Sequence, residues 1–330
     1  MNDIVRSCVV FLCMSVLAAS SSFAWVQTAF DKALRNGAEA RVVVSVVDDD
    51  GRPVSNATVK AFFEMGLSDG SRSYEKETDG KGIAVLEGKV SRSIHFRVEK
   101  VGHYKSHKKI CLIEMGHEYE VRNDKWQPWG IRCDVVLRRI KHPVASRGVS
   151  CDWRRTKALN EWVGFDVEKY DFVKPHGIGE VNDFDVFVSW DGLYNVREYT
   201  GIALKIRFSG RFAGGYYVPK CSNSEYGGPY MALTNQTYMA NFEFAERPVR
   251  DKRGLVVRLE GTRFDASKVL VCRSRCKVSD DGVLRECRYF QISDLEFSCS
   301  RDEKAALSFN VIYNPTPNDT NLEPRREGRR

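Results

Sequence analysis

Residues 41–106 read RVVVSVVDDDGRPVSNATVKAFFEMGLSDGSRSYEKETDGKGIAVLEGKVSRSIHFRVEKVGHYKS, and the rhythm of this stretch sets the architecture. Val42, Val44 and Val46 alternate with Val43, Ser45 and Val47, and Asp48-Asp49-Asp50-Gly51 then turns the chain. Val59, Ala61 and Phe63 repeat the pattern against Lys60, Phe62 and Glu64. Thr78-Asp79-Gly80-Lys81-Gly82 is a second turn, residues 83–86 a short strand, and Ile94, Phe96 and Val98 a face opposite His95, Arg97 and Glu99. Every second side chain of a strand lies on one face. Short β-branched runs between Asp/Gly turns therefore predict a small antiparallel β-sandwich over 41–142. Before it, Val26, Phe30, Ala33 and Leu34 fall at helical spacing, and Asn36-Gly37 provides a stop, so a short helix is expected within 25–40.

The order strand, Asp49-Asp50-Gly51-Arg52-Pro53-Val54, Ala57-x-Val59, Thr78-Asp79-Gly80-x-Gly82, then Val98-Glu99-Lys100-Val101-Gly102-His103-Tyr104 resembles the carboxypeptidase regulatory-like family. The resemblance covers roughly a third of the chain, within 41–142. It implies a prealbumin-like fold and a binding or spacer module without an active site. Farther on, Trp126-Gln127-Pro128-Trp129-Gly130, the run 137–143 and Gly164-Phe165-Asp166 make the whole chain similar to uncharacterised exported proteins of Gram-negative bacteria. That likeness implies architecture and location only.

The first residues point the same way. Arg6 sits in a short polar start, residues 9–19 are apolar, and Ser22-Phe23-Ala24 places small residues where a signal peptidase reads. A signal peptide over 1–24 is expected, too short to span a membrane, and no later run reaches the length of a span. The destination is the periplasm, the cell surface or the exterior. Of the ten cysteines, Cys8 and Cys13 leave with the signal. An even remainder in an exported chain predicts disulfides.

The 330 residues are enough for two cores. A net charge of +7 comes from 51 basic and 44 acidic residues spread along the chain, which argues against a nucleic-acid partner. His142-Pro143-Val144 ends the first domain, because proline cannot join a central ladder. Residues 143–182 are expected to form a connector. From 183 the pattern is again strands: Phe184, Val186, Val188 and Trp190 alternate with Asp185, Phe187 and Ser189, as Ile202, Leu204, Ile206 and Phe208 do with Ala203, Lys205 and Arg207. Further runs through 314 predict a second β-sandwich, followed by a disordered tail over 315–330. The expected fold class is all-β, two sandwiches with one short helix.

No nucleophile elbow or phosphate-binding glycine loop occurs. His117-Glu118-Tyr119-Glu120 matches a zinc pair of metallocarboxypeptidases, yet no catalytic domain precedes residue 41. The spacing Cys272-x-x-x-Cys276 is better explained by disulfides than by metal. Asp183 and Asp185 flank Phe184 and should lie on the polar, exposed face of their strand. The sequence therefore nominates no catalytic residue, no metal ligand and no cofactor.

Binding candidates are aromatic. Trp126 and Trp129 flank a proline in a loop suited to stacking on a sugar, or to capping a core. Residues 214–230 carry Tyr216, Tyr217, Tyr226 and Tyr230 among glycines and amides, a composition that suits recognition. The reading is an exported, non-enzymatic binding or spacer protein, with a polysaccharide or an envelope protein as partner. The alternatives are a carbohydrate-binding accessory protein and, more remotely, a secreted hydrolase built on separated carboxylates.

One cysteine pair follows from register. Asp281-Gly282 reads as a two-residue turn, which would set Cys276 opposite Cys287 and predict their disulfide. Cys272 would then need Cys299, and elimination leaves Cys111 with Cys133 and Cys151 with Cys221.

Overall fold

A computed structural model describes residues 28–66, 70–113, 119–144, 147–149, 153–190, 201–221, 223–299 and 304–325. The signal segment, His117-Glu118 and Cys151 lie outside them. The protein is all-β, with one short helix among the described residues, and divides into two compact units. One runs to Val101 and resumes over Lys105–Leu137; the other comprises Gly102–Tyr104 and Arg138–Arg330. Among the described residues no helix is long and apolar enough to cross a membrane.

The first unit opens with α1 (Ala29–Asn36). Thr28 caps it: its hydroxyl accepts the Asp31 N–H at 3.1 Å, and the Asp31 carboxylate accepts the Thr28 N–H in return. Gly37 ends it at φ 73°, a conformation that favours glycine. Among the described residues the strands that follow are β1 (Ala38–Val47), β2 (Thr58–Glu64), β3 (Ser71–Glu77), β4 (Ile83–Val90), β5 (Ser93–Glu99), β6 (Ser106–Cys111), β7 (Glu120–Arg122), β8 (Lys125–Gln127) and β9 (Ile131–Val136).

β1 is the spine of one sheet. It pairs antiparallel with β4, Val42 against Leu86, and parallel with β9, Val44 against Cys133, while β8 and then β7 extend from its start. The second sheet runs β3-β2-β5-β6. Their inward faces share one core, in which Val42, Val44 and Val46 meet Val59, Phe63, Ile94, Phe96 and Val98. The alternation read from the sequence is the alternation of burial. β3 is exposed along nearly its whole length, and its Arg72, Glu75, Lys76 and Glu77 protect an edge that would otherwise pair with another chain.

The second unit holds β10 (Arg147–Val149), β11 (Arg154–Thr156), β12 (Trp162–Asp166), β13 (Asp171–Phe172), β14 (Phe184–Trp190), β15 (Ile202–Arg207), β16 (Gly214–Pro219), β17 (Asn241–Arg250), β18 (Val256–Thr262), β19 (Lys268–Val278), β20 (Leu284–Cys299) and β21 (Ala305–Asn314). One sheet runs β13-β12-β14-β15-β17-β18; the other runs β21-β20-β19-β16, with β10 and β11 both paired to β21. Phenylalanines fill the space between them, Phe165 stacked on Phe184 at 5.4 Å and on to Phe290 and Phe309. Each such ring contributes about 1.5–3 kcal/mol by leaving water. A second apolar cluster lies on the outer face of β19 and β20, where Tyr216, Val271, Cys287 and Tyr289 meet Ala232 and Leu322. Val269, Leu270, Val271 and Cys272 are consequently all buried, because both faces of β19 are covered.

Several expectations change here. Residues 143–182 are no connector: β10–β13 belong to the sheets of the second unit, whose main segment begins at Arg138. Residues 315–325 are no disordered tail either. Leu322 is fully buried, and Glu323 accepts the backbone N–H groups of Lys141 and His142 and the Tyr104 hydroxyl. Prolines and arginines suggested a frayed end, but one leucine and one carboxylate anchor it. Residues 214–219 of the tyrosine stretch form a strand, paired along its length with β19.

The β19–β20 turn has a different geometry from the one expected. Ser279 N–H bonds Val283 O and Gly282 N–H bonds Ser279 O, so three residues, not two, form the loop, with Gly282 at φ 79°. Two register shifts follow: Lys277 pairs with Glu286, then Ser274 with Arg288, leaving Arg275 and Cys276 together across from Cys287. Cys276 and Cys287 are neighbours for a reason the two-residue turn did not contain. Burial first, then the adjacent Cys287, pushes the Cys276 thiol up to about 11. Among the described residues Cys111, Cys133, Cys221, Cys272, Cys276 and Cys287 carry free thiols, so the bridges expected for Cys276–Cys287, Cys272–Cys299 and Cys111–Cys133 are not formed, while Cys151 of the fourth lies outside the described residues. Cys272 faces the apolar core opposite Phe290, where burial holds its thiol protonated.

Candidate functional site

Two bulges on the long hairpin of the second unit re-aim charged side chains. At each, a residue other than glycine takes a left-handed conformation, Arg275 at φ 50° and Asp294 at φ 53°. Such conformations cost energy and persist where surrounding bonds hold them.

Arg275 turns toward the six-stranded sheet. Its Nε donates to Asp183 Oδ1 at 2.9 Å, one terminal nitrogen to Glu168 at 2.9 Å, and the other to Asp166 at 3.2 Å and Asp183 Oδ2 at 3.0 Å. Asp183 also accepts from the Ser274 hydroxyl at 2.6 Å and the Val167 N–H at 2.9 Å. Its side chain is 0% exposed, correcting the expectation that it lies on a polar face. Asp185, likewise expected outside, is buried and bonded to Arg207, Ser209 and Asn182. Burial raises the Asp166 carboxyl, but the N–H groups of Glu180, Val181 and Lys169 and the Arg275 charge outweigh it and leave it below the ordinary range. These carboxylates have their oxygens occupied, so the cluster serves as a cross-link between sheets.

Asp294 turns the other way, into a cleft of about 390 Å³ whose wall includes Lys220, Tyr226, Gly228, Gln291 and Asn310. The bulge sets Asp294 and Leu295 together opposite Phe309, beside the pair Ser293–Asn310. Lys220 Nζ lies 2.7 Å from both Asp294 oxygens, Asn310 Nδ2 donates to Oδ2 at 2.7 Å, and the Ser293 hydroxyl adds a bond at 3.0 Å. Burial raises the Asp294 carboxyl, and Lys220 with Asn310 more than offsets it, so the acid stays ionised below its ordinary range. Deeper in the wall, Gln291 Oε1 is buried without a hydrogen-bond partner. Gly228 packs on that amide so closely that a Cβ there would lie 2.1 Å from Oε1, so any side chain would force the Gln291 amide to move.

The aromatic candidates do not form one surface. Trp126 is fully buried, its Nε1–H bonded to Val90 O at 2.8 Å and its ring edge-on to Phe30. It closes a core and offers no face to a sugar. Trp129 is 39% exposed, with Lys125 4.6 Å above its ring. Tyr216 and Tyr217 point to opposite faces of β16. Tyr216 accepts the Leu233 N–H and packs on Tyr238, while Tyr217 packs on Phe242 and burial pushes it up to about 12. Tyr226 is buried, its hydroxyl bonded to the carbonyls of Leu322 and Pro229. Tyr230 donates to Arg139 O and lies under the cations of Arg138 and Lys141. Only Tyr226 reaches the cleft wall. The sequence reading missed Lys220, Asp294 and Asn310, because nothing local joins residues so far apart. The local hint was the polar pair Ser293-Asp294 between Ile292 and Leu295.

No family model and no curated relative matches the chain. Among solved structures it is similar to 3-chlorocatechol 1,2-dioxygenase from Rhodococcus opacus 1CP, at 11% identity over 32% of this chain and 62% of that one, TM-score 0.26. Catechol 1,2-dioxygenase from Pseudomonas arvilla C-1 is 15% identical over 32% of this chain and 54% of its own, TM-score 0.25. The shaft pilin SpaA of Lactobacillus rhamnosus GG is 10% identical over 87% of this chain and 95% of its own, TM-score 0.23. This chain thus spans between about half and two thirds of the dioxygenases' length, and scores this low assign no function.

Proposed function

We propose that this chain is an exported structural protein of the bacterial envelope or exterior, whose β units act as spacer or binding modules. One observation carries the reading: the buried charges that a catalyst would need are spent on holding sheets together. Asp166, Asp183 and Arg275 bond to one another and to backbone, and Glu323 anchors the final segment. The regulatory-like identity of the first unit belongs to the same proposal and rests on the motifs at 49–54, 78–82 and 98–104.

The carbohydrate-binding alternative has less support. Trp126, Tyr216 and Tyr226 have their rings in cores, and a stacking platform needs exposed, coplanar faces. The hydrolase alternative needs separated carboxylates; of Asp183, Asp185 and Asp191, the nearest such group in the sequence, the first two have oxygens engaged by Arg275 and Arg207, and Asp191 lies outside the described residues. Expression with the native leader in a Gram-negative host tests export directly. The mature chain should begin at Trp25 and be recovered outside the cytoplasm. Recovery of the chain in the cytoplasm with Met1 intact would refute the reading.

A further inference from the structure

We propose that Lys220 and Asn310 are joined in the mature fold by an isopeptide bond, formed between Lys220 Nζ and Asn310 Cγ with Asp294 carrying the proton. The geometry that points to it is one carboxylate touching both reacting groups. Lys220 Nζ is 2.7 Å from each Asp294 oxygen, and Asn310 Nδ2 donates to the same Oδ2 at 2.7 Å. A lysine beside a carboxamide is ordinarily inert for two reasons. The amine is protonated near neutrality, and an amide nitrogen leaves poorly unless it gains a proton. Both obstacles concern proton placement, and a single acid in contact with both nitrogens meets them together.

The step balances without any co-reactant. Asp294 takes a proton from the Lys220 ammonium, and the freed lone pair forms the new N–C bond at Asn310 Cγ. The Cγ–Nδ2 bond breaks as Asp294 returns the proton to Nδ2, and the departing ammonia takes the second proton that the former Lys220 nitrogen sheds on becoming an amide N–H. An ammonium and a carboxamide become a secondary amide and an ammonium ion, with nothing oxidised or reduced. The fold supplies the proximity such a reaction depends on. Asn310 is fixed on β21 opposite Ser293, Asp294 is aimed by its bulge, and the Lys220 N–H is tied to Ser267 O at 2.7 Å. The Lys220 side chain is 19% exposed and that of Asp294 31%, so both are partly shielded from water. The resting ion pair opposes the first proton transfer, and the bond should therefore form after folding and slowly.

The consequence is a covalent tie from the end of β16 to β21, the two ends of a four-strand path. This inference goes beyond the structural reading above and does not depend on export. The test is peptide mapping and intact mass of the full chain, purified after folding and then denatured. The wild-type protein should weigh less than its sequence by one ammonia. Its tryptic digest should contain a branched peptide holding Lys220 and Asn310, with Lys220 uncleaved. Lys220→Arg and Asp294→Ala chains, checked for cooperative melting, should show full mass and linear peptides. Linear Lys220 and Asn310 peptides from folded wild type overturn the proposal, as does a lost ammonia without the branched peptide. A branched peptide persisting in Asp294→Ala overturns the part assigned to that acid.

Discussion

The two units solve the same problem, covering a β-sheet, with different chemistry. In the first, alternating apolar side chains build the core, and the partners of its buried Asp48 and Thr78 lie nearby in sequence. Asp48 accepts the N–H groups of Asp50 and Arg52, and the Thr78 hydroxyl bridges Val54 O and Ala57 N–H within a couple of dozen positions. In the second, Arg275 reaches Asp183 across 92 positions and Glu168 across 107. A core of the first kind tolerates rearrangement of its polar shell. A core of the second kind holds charges that are harmless only while every partner is present.

Removing one such partner is the strongest way to break the contrast. Asp183→Ala leaves the Arg275 guanidinium half-buried with its main acceptor gone and is expected to cost about 3–5 kcal/mol. Hydrogen exchange followed unit by unit should show the loss over 138–325 and little change over 28–137. Equal loss in both units would contradict the separation of the cores.

Acid is the next lever. Asp166 and Asp294 have folded values below the ordinary 3.8, so their contribution is complete above that value and disappears as pH falls through the lower folded ones. Melting followed from neutrality to strong acid should destabilise the second unit first. In the first unit, Trp126→Phe removes the donor to Val90 O and is expected to cost about 1–3 kcal/mol, read as a lower denaturant midpoint for that unit alone. The smallest effect belongs to Thr28→Ala, about 1 kcal/mol or less from the lost cap, visible as faster exchange across α1.

Tyr170 shows how a sequence hides such a contact. It sits at φ 51° in a turn, and its hydroxyl donates to Phe309 O and accepts the Phe309 N–H, closing a link of 139 positions. Nothing near residue 170 announces that partner. The same holds for Lys220, Asp294 and Asn310, which three separate elements bring to one cleft.

The amino-acid sequence alone determined the fold class, the spine of the first unit and the helix before it. Period-two burial and Asp/Gly turns are local, and each residue of β1 declares its face through its own side chain. The tertiary structure alone decided what became of Trp126, of the aspartates around Phe184 and of the cysteines on the long hairpin. Their environments come from strands far away in the chain and from bulges that shift a register by one residue. A single such shift moves a side chain to a different neighbour, and no local pattern records it.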